Sequence, residues 1–157
     1  MKIALLTFNT AINYGAQLQA YALQKILRDS GYEAYHVMVG KRIKSTKIKY
    51  KIKSVLEKKK NESYDEFMNK RLIFYPGSFD ESSFYLLNQV FDVFISGSDQ
   101  VWNMKAGVNP IWFQETVESE KKKISYAASM GIKDVPAEYI SETARALSDF
   151  NYISVRE

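Results

Sequence analysis

The sequence predicts an α/β fold in which helices flank a parallel sheet. Three observations point to this class. Short apolar runs alternate with helical patterns along the 157-residue chain. The first strand, helix and second strand follow one another closely, as in a right-handed strand–helix–strand unit. Four of the apolar runs end in clusters of small and polar residues, and ligands bind at the carboxyl ends of the strands in parallel sheets.

The first strand–helix–strand unit is predicted within residues 3–39. Residues 3–8 form a short apolar run that is typical of a buried parallel strand. A helix is expected from Ala16 to Ser30, followed by Gly31 at a usual helix end and by a strand over 32–39. The apolar stripe of this helix is predicted to comprise Ala16, Ala20, Leu23 and Leu27, widened by Leu18, Ala22 and Ile26.

The remaining elements are predicted from later runs and breaks. A helix is expected to start at Pro136 and to run through Asp149, with Asp134 as its candidate cap. The chain closes on the apolar run 152–155, which either forms the sheet edge or marks half of a longer design. The other expected elements are a short helix near 80–89, a strand at 91–95 and a strand at 124–128.

Residues 41–71 have a different composition and are expected to form a basic, partly helical insertion. Between Lys41 and Lys60 there are ten Lys or Arg residues and one acid, Glu57, which is a local net charge of +9. The whole chain carries +4, so the rest is acidic. This segment is either a solvated linker or a patch for an anionic substrate or a phospholipid surface. A nucleic-acid partner is not expected, because no recognition motif accompanies the charge.

Composition narrows the cellular setting. There is no cysteine, so disulfides and thiolate chemistry are excluded and a reducing cytoplasm is favoured. No apolar stretch approaches the roughly 20 residues that a spanning helix needs. The amino-terminal run is too short for a signal peptide. We therefore expect a soluble cytoplasmic protein, with contact at the inner membrane face through Lys41–Lys60 as an additional hypothesis.

The polar cluster after the first strand leads into the first helix. Free amides at a helix start attract anions and polar groups, and Gly15 allows a ligand to approach the backbone. Uncharged amides and hydroxyls suit sugar hydroxyls as well as phosphates. The alternative is that Asn13 serves only as the helix cap. The candidate substrate-binding residues here are Asn9, Asn13, Tyr14 and Gly15.

The cluster after the strand at 91–95 spans residues 96–103. Asp99 is the candidate catalytic residue, because a carboxylate at a strand end can orient or deprotonate an acceptor hydroxyl. Trp102 could offer an apolar face to a sugar ring. The alternatives are that Asp99 caps a turn and that Trp102 fills the core. The candidate substrate-binding residues are Gly97, Ser98, Gln100 and Trp102.

Two further clusters complete the predicted binding edge. The small residues of 125–131, with Ser129 as a candidate contact, indicate a place where the backbone closely approaches another group, whether a ligand or a packed helix. The last apolar run ends at Arg156, a candidate contact for anionic groups. The single histidine, His36, is expected to be structural or exposed. No spacing typical of metal ligands occurs, so no metal site is predicted.

Four ordered segments of the sequence resemble the polysaccharide pyruvyl transferase family. They are residues 13–23, 91–103, 123–131 and 153–157, and together they cover most of the chain apart from the basic insertion. The resemblance implies the first, Rossmann-like lobe of a two-lobed protein of the glycosyltransferase-B type. It also implies transfer of pyruvate from phosphoenolpyruvate, as a ketal, to a sugar of a cell-surface or exopolysaccharide precursor.

The resemblance also sets expectations for partners. Family chains are about twice this length, so residues 1–157 are expected to be an N-terminal lobe whose C-terminal lobe is absent and which is inactive alone. The acceptor would be a sugar or a lipid-linked oligosaccharide, phosphoenolpyruvate would be the donor, and no cofactor is implied. The alternative functions are a lobe of a glycosyltransferase that uses sugar nucleotides and a non-catalytic carbohydrate-binding remnant.

Overall fold

The chain folds around one parallel sheet. A computed structural model describes residues 1–8, 13–40, 64–104 and 108–156. In these residues the strands are β1 (Lys2–Leu6), β2 (Glu33–His36), β3 (Val93–Asp99) and β4 (Lys122–Ala128). Their order is β2-β1-β3-β4, and all three pairings are parallel. The predicted α/β class with a Rossmann-like parallel sheet is confirmed.

Helix α1 (Tyr14–Asp29) connects β1 to β2 and packs against β2 and β3. The side chain of Asn13 accepts a hydrogen bond from the Ala16 amide at 3.2 Å, so the predicted cap is confirmed. The width of the predicted apolar stripe was wrong. Leu18, Ala22 and Ile26 are exposed, whereas the amides of Gln17 and Gln24 are buried in their place.

The other helices are shorter than predicted. Residues 64–71 are helical and are called α2 here, within the segment expected to be a partly helical insertion. A 3₁₀ helix occupies Phe84–Gln89 in place of the expected helix over 80–89. A second 3₁₀ turn, Ala137–Tyr139, follows Pro136 and leads into α3 (Ile140–Ser148). Neither has a side-chain cap, so the expected capping by Asp134 was wrong.

Apolar side chains cover both faces of the sheet. Alternate residues along β1 and β3 point to opposite faces, as the pleat of a strand requires. Two clusters result. The α1 side buries Ile3, Leu5, Leu23, Ala34, Val93 and Ile95, and the other side buries Ala4, Leu6, Val37, Phe84, Leu87, Phe91, Phe94, Ile111 and Val117.

The last apolar run lies along the outer edge of β4. Ile124 and Ala128 form isolated parallel bridges with Tyr152 and Val155. The Ser125 amide donates to the Tyr152 carbonyl at 2.9 Å, which extends the pairing between the bridges. The run 152–155 is therefore aligned with the sheet, as predicted, although it forms bridges in place of a regular strand.

The strand order predicts a crevice between the carboxyl ends of β1 and β3. The chain leaves β1 toward β2 on one side, whereas it leaves β3 toward β4 on the other. Connections that diverge in this way form a switch point at the carboxyl ends of the two strands, where ligands bind in open α/β sheets. The described residues of the clusters predicted after β1 and β3 flank this point.

Some predictions fall on residues outside the described ranges. Asn9 and the basic run Lys41–Lys60 are among them, so their roles remain predictions. In the part of the chain that the structure describes, no helix is long and apolar enough to cross a membrane.

Candidate functional site at the carboxyl edge of the sheet

The ends of β1 and β3 are joined by hydrogen bonds to the backbone of Ser98. The Thr7 hydroxyl, just past β1, donates to the Ser98 carbonyl at 2.6 Å, and the Gln19 amide of α1 donates to the same oxygen at 3.2 Å. The Ser98 hydroxyl in turn donates to the Gln19 side-chain oxygen. Two different elements therefore hold the end of β3 at the switch point.

The backbone at the end of β3 adopts an unusual conformation. Gly97 has φ +110°, and Asp99 has φ +104°. A side chain at position 97 would overlap the Tyr126 carbonyl of β4, so only glycine fits there. A positive φ at a non-glycine residue costs about 1–3 kcal/mol and persists only where the surrounding structure imposes it. Such residues cluster at functional sites.

Asp99 is held by its neighbours through the backbone. Its carbonyl accepts hydrogen bonds from the Val101 amide at 2.8 Å and from the Ser129 amide at 3.0 Å. One carboxylate oxygen accepts from the Gln100 amide at 2.8 Å. The Asp99 side chain is half-buried. A carboxylate in this position retains lone pairs that can accept a proton or a hydroxyl hydrogen bond from a ligand.

The small residues after β4 accommodate the loop after β3. A Cβ built at Gly131 would lie 2.5 Å from the Gln100 side chain, so the absence of a side chain there makes room for Gln100. The Ser129 carbonyl accepts from the Trp102 amide at 3.1 Å, and the Ser129 hydroxyl accepts from the Gly131 amide at 3.0 Å. The group that closely approaches the backbone of this cluster is thus the loop after β3, through Gln100 and Trp102.

Trp102 does not present an open face. Its side chain is only 1% exposed and stacks on Phe113, with ring centroids 5.5 Å apart and an interplanar angle of 14°. Its indole N–H donates to the Trp112 carbonyl at 3.1 Å. The expected stacking role is therefore wrong in this structure, because burying the large apolar ring and satisfying its polar atom place Trp102 in the core.

The amino end of α1 borders the same crevice. Asn13 is the helix cap, and Gly15 lies in the first turn beside the Asn13 side-chain oxygen. Tyr14 is exposed, and its ring meets that of Tyr64 of α2 edge-on at 6.2 Å. Burial raises the pKa of the Tyr64 hydroxyl.

A comparison with protein families shows which family the chain belongs to. The family model named "Polysaccharide pyruvyl transferase" matches residues 13–157. The chain belongs to the polysaccharide pyruvyl transferase family. No curated protein and no solved structure gives a significant match.

In this pyruvyl transferase family member, the structure brings most of the predicted site residues to one edge. Asn13, Tyr14 and Gly15 lie at the end of α1 that follows β1, and Gly97, Ser98, Asp99 and Gln100 lie at the end of β3. Ser129 and Arg156 adjoin the end of β4, where the Arg156 amide donates to the Ala128 carbonyl at 3.1 Å. The described ranges contain no group of three or more His, Cys, Asp or Glu residues that could hold a metal.

Sequence reasoning missed Thr7 and Gln19 as residues that organise the site. Thr7 ends the first apolar run, where its hydroxyl could have signalled a role in a strand-end contact. Gln19 lies mid-helix, and its sequence neighbours give no indication that it reaches β3. Only the folded topology brings these side chains to Ser98.

Proposed function

We propose that this protein takes part in pyruvyl transfer from phosphoenolpyruvate to a sugar, and that its carboxyl-edge crevice binds the acceptor. Family membership supports transferase chemistry of this type. The observation that carries the acceptor assignment is the half-buried Asp99 beside a Ser98 that Thr7 and Gln19 hold in place. The Ser98 hydroxyl oxygen and the Asp99 carboxylate can both accept hydrogen bonds from the hydroxyl groups of a sugar.

The proposed reaction balances without a cofactor. The donor methylene gains a proton and becomes a methyl group, and one acceptor hydroxyl adds to the carbon that carries the phosphate. Phosphate leaves with the bonding electrons of the C–O bond, and a second hydroxyl closes the ketal. The two hydroxyl protons account for the methyl proton and the proton left with phosphate. Asp99 would act as the general base that accepts the acceptor's hydroxyl proton. This role requires its carboxylate to lie within hydrogen-bond reach of that hydroxyl.

The donor carries a carboxylate and a phosphate, which need cations. Arg156 adjoins the end of β4 and is the residue we assign to the donor side of the crevice. Asn13, Tyr14, Gly15, Ser98, Gln100 and Ser129 are assigned to the acceptor side, together with Asn9. Further donor contacts would come from a second lobe of the kind that the resemblance implies.

The test uses the protein expressed from its complete gene. It is incubated with ¹³C-labelled phosphoenolpyruvate and a panel of glycosides and lipid-linked oligosaccharides, and ketal formation and phosphate release are followed by NMR. Parallel reactions replace phosphoenolpyruvate with sugar nucleotides. One phosphate per ketal is expected. Sugar transfer from a nucleotide donor would replace this proposal with the glycosyltransferase alternative. Sugar binding without turnover would replace it with the carbohydrate-binding alternative.

Asp99→Asn should lower turnover by about 10²–10⁴-fold, which is the usual contribution of general acid–base catalysis. Asp92→Asn is the matched control, because Asp92 immediately precedes β3 at its opposite end and accepts a hydrogen bond from the Lys2 amide. Turnover should be unchanged in this control. Full activity in Asp99→Asn would remove Asp99 from the mechanism.

A further inference from the structure

With Trp102 buried, the carboxyl edge has a different aromatic residue available for a ligand. Tyr126 of β4 is 51% exposed. In the described ranges, its hydroxyl has no hydrogen-bond partner and its ring meets no other aromatic ring. We propose that Tyr126 is the stacking platform for the acceptor sugar. The choice of a sugar as ligand rests on the proposed function.

Tyr126 faces the same side of the sheet as α1. Ile124, two residues earlier on β4, packs against the apolar cluster that contains Leu5 of β1 and Leu23 of α1. Residues two apart on a strand share a face, so the Tyr126 side chain projects to the α1 side. At Ala127 the backbone turns to φ +47°, and Ala128 packs into the core on the opposite side, around Trp102. Tyr126 is therefore the last residue of β4 on the α1 face.

The position of Tyr126 next to the switch point follows from strand register. Its partner on β3 is Gly97, which has no side chain, so no neighbouring side chain covers the ring from that strand. Ser98, the next residue, hydrogen-bonds to Gln19 of α1 and so lies toward the same face. An exposed ring thus adjoins the polar groups that are assigned to the acceptor.

This combination is what a sugar requires. A pyranose has an apolar C–H face and polar hydroxyl edges, and binding sites for such ligands join an aromatic surface to a few fixed polar groups. The ring of Tyr126 would contact the apolar face, while Ser98 and Asp99 would meet the hydroxyls. Phosphoenolpyruvate has no comparable apolar face, so Tyr126 is assigned to the acceptor alone.

The experiment measures binding directly, without turnover. Protein labelled with ¹³C in its tyrosine rings is titrated with methyl glycosides of glucose, galactose, mannose and N-acetylmannosamine and followed by two-dimensional NMR. The Tyr126 signal is assigned by its loss in Tyr126→Phe. At least one glycoside should shift this signal, and Tyr126→Ala should weaken its binding tenfold or more.

Two variants control the test. Tyr126→Phe keeps the ring and should bind within about threefold of the parent, whereas a loss as large as that in Tyr126→Ala would assign the effect to the hydroxyl and overturn the stacking proposal. Tyr85→Ala removes a tyrosine of similar exposure, 54%, from the 3₁₀ helix that precedes β3 and should change nothing. Unfolding curves recorded for each variant verify the fold.

The result is separable from that of the pyruvyl transfer assay. Unchanged binding in Tyr126→Ala, or no glycoside shift in the parent protein, overturns the stacking proposal even if ketal formation is observed. Tyr126-dependent binding without ketal formation supports the platform and contradicts only the reaction.

Discussion

At the scale of single residues, the end of β3 depends on a few backbone positions. Gly97 gives the strand room against β4, and Asp99 is held at a positive φ by hydrogen bonds to its carbonyl from two amides. The cost of such a conformation is of the order of 1–3 kcal/mol, and the surrounding contacts must offset it. The catalytic candidate is therefore part of a constrained turn.

We predict that Gly97→Ala destabilises the protein by about 2–5 kcal/mol, since the new methyl group would meet the Tyr126 carbonyl in a backbone conformation that alanine disfavours. Denaturant unfolding measures the effect. Gly31→Ala is the matched control: Gly31 also has a positive φ, but a Cβ there meets nothing within 4 Å, and a cost of about 1–2 kcal/mol is expected. Equal costs for both variants would contradict the steric argument.

A second residue-scale prediction concerns the constraint on Asp99. In Asp99→Gly the free energy of unfolding should be unchanged or up to about 1 kcal/mol higher, because glycine adopts a positive φ without strain. The same substitution removes the carboxylate. Asp99→Asn keeps the side-chain size and the strain. If Asp99→Gly unfolds more readily than Asp99→Asn, the backbone at this position is not strained as described.

The individual site residues were predictable to different degrees. Asn13 and Gly97 could be interpreted from local chemistry, since a cap and a tight backbone approach depend on near neighbours. The environment of Trp102 could not, because its partner Phe113 comes from a separate stretch of chain. A buried tryptophan and a ligand-stacking tryptophan have the same sequence pattern, and only packing separates them.

At the scale of elements, helix α1 is held by the buried side-chain amide of Gln24 as well as by apolar contacts. The Gln24 amide donates to the Ala34 carbonyl at 3.1 Å and to the Ile73 carbonyl at 2.7 Å, and its oxygen accepts from the Ile73 amide at 2.9 Å. One side chain thus joins α1, β2 and the segment around Ile73. Buried polar groups with complete hydrogen bonding fix the arrangement of the elements that they connect.

We predict that Gln24→Leu destabilises the protein by about 1–3 kcal/mol, because the Ile73 amide loses its partner in a partly buried place. Hydrogen exchange should accelerate most at Ile73 and at Tyr75, whose amide donates to the His36 carbonyl. Ile26→Ala is the control on the exposed side of the same helix, and it should change stability by less than about 0.5 kcal/mol. Uniform exchange throughout the chain would contradict a local effect.

The misjudged stripe of α1 has the same origin. Helical periodicity predicted the helix and its core residues Ala16, Ala20 and Leu23. It could not show that Gln17 and Gln24 would be buried in place of Leu18 and Ile26. The hydrogen-bond partners of Gln24 lie on β2 and around Ile73, far along the chain. Periodicity was therefore enough to predict that α1 is a helix. Which of its side chains face the sheet also depended on the long-range hydrogen bonds of Gln24.

At the scale of the whole molecule, His36 links global stability to pH. Burial lowers the pKa of His36 to about 4, and one ring nitrogen lies 3.2 Å from the Ala20 carbonyl. In the unfolded chain the His36 imidazole is protonated as pH falls through about 6.5, whereas in the folded protein it stays neutral down to about pH 4. Stability from this residue is therefore complete above pH 6.5 and is lost as pH falls toward 4.

We predict a loss of up to about 3 kcal/mol in the free energy of unfolding between pH 6.5 and pH 4 from this residue. Urea unfolding at a series of pH values measures it, and subtraction of the curve for His36→Gln removes the contributions of the acidic groups. The difference between the two proteins should follow this window. A difference that does not vary with pH would show that His36 is protonated equally in both states.

The fold as a whole was more predictable than the site. Alternating strand and helix patterns predicted the parallel sheet, because right-handed connections leave few alternatives. The crevice between β1 and β3 follows from strand order, which no local pattern encodes. The contacts of Thr7 and Gln19 with Ser98 join residues that are 79 or more positions apart, so they appear only after the chain has folded.

The fastening of Ser98 from two elements has a consequence for how acceptor preference can be altered. The polar end of β3 cannot shift without disturbing both β1 and α1. Substitutions there that altered acceptor selectivity would therefore also lower the free energy of unfolding. The exposed ring of Tyr126 on the adjacent strand β4 can be replaced at a smaller cost in stability. Laboratory evolution toward other sugars should therefore collect changes at Tyr126 first and leave the Thr7–Ser98–Gln19 trio intact.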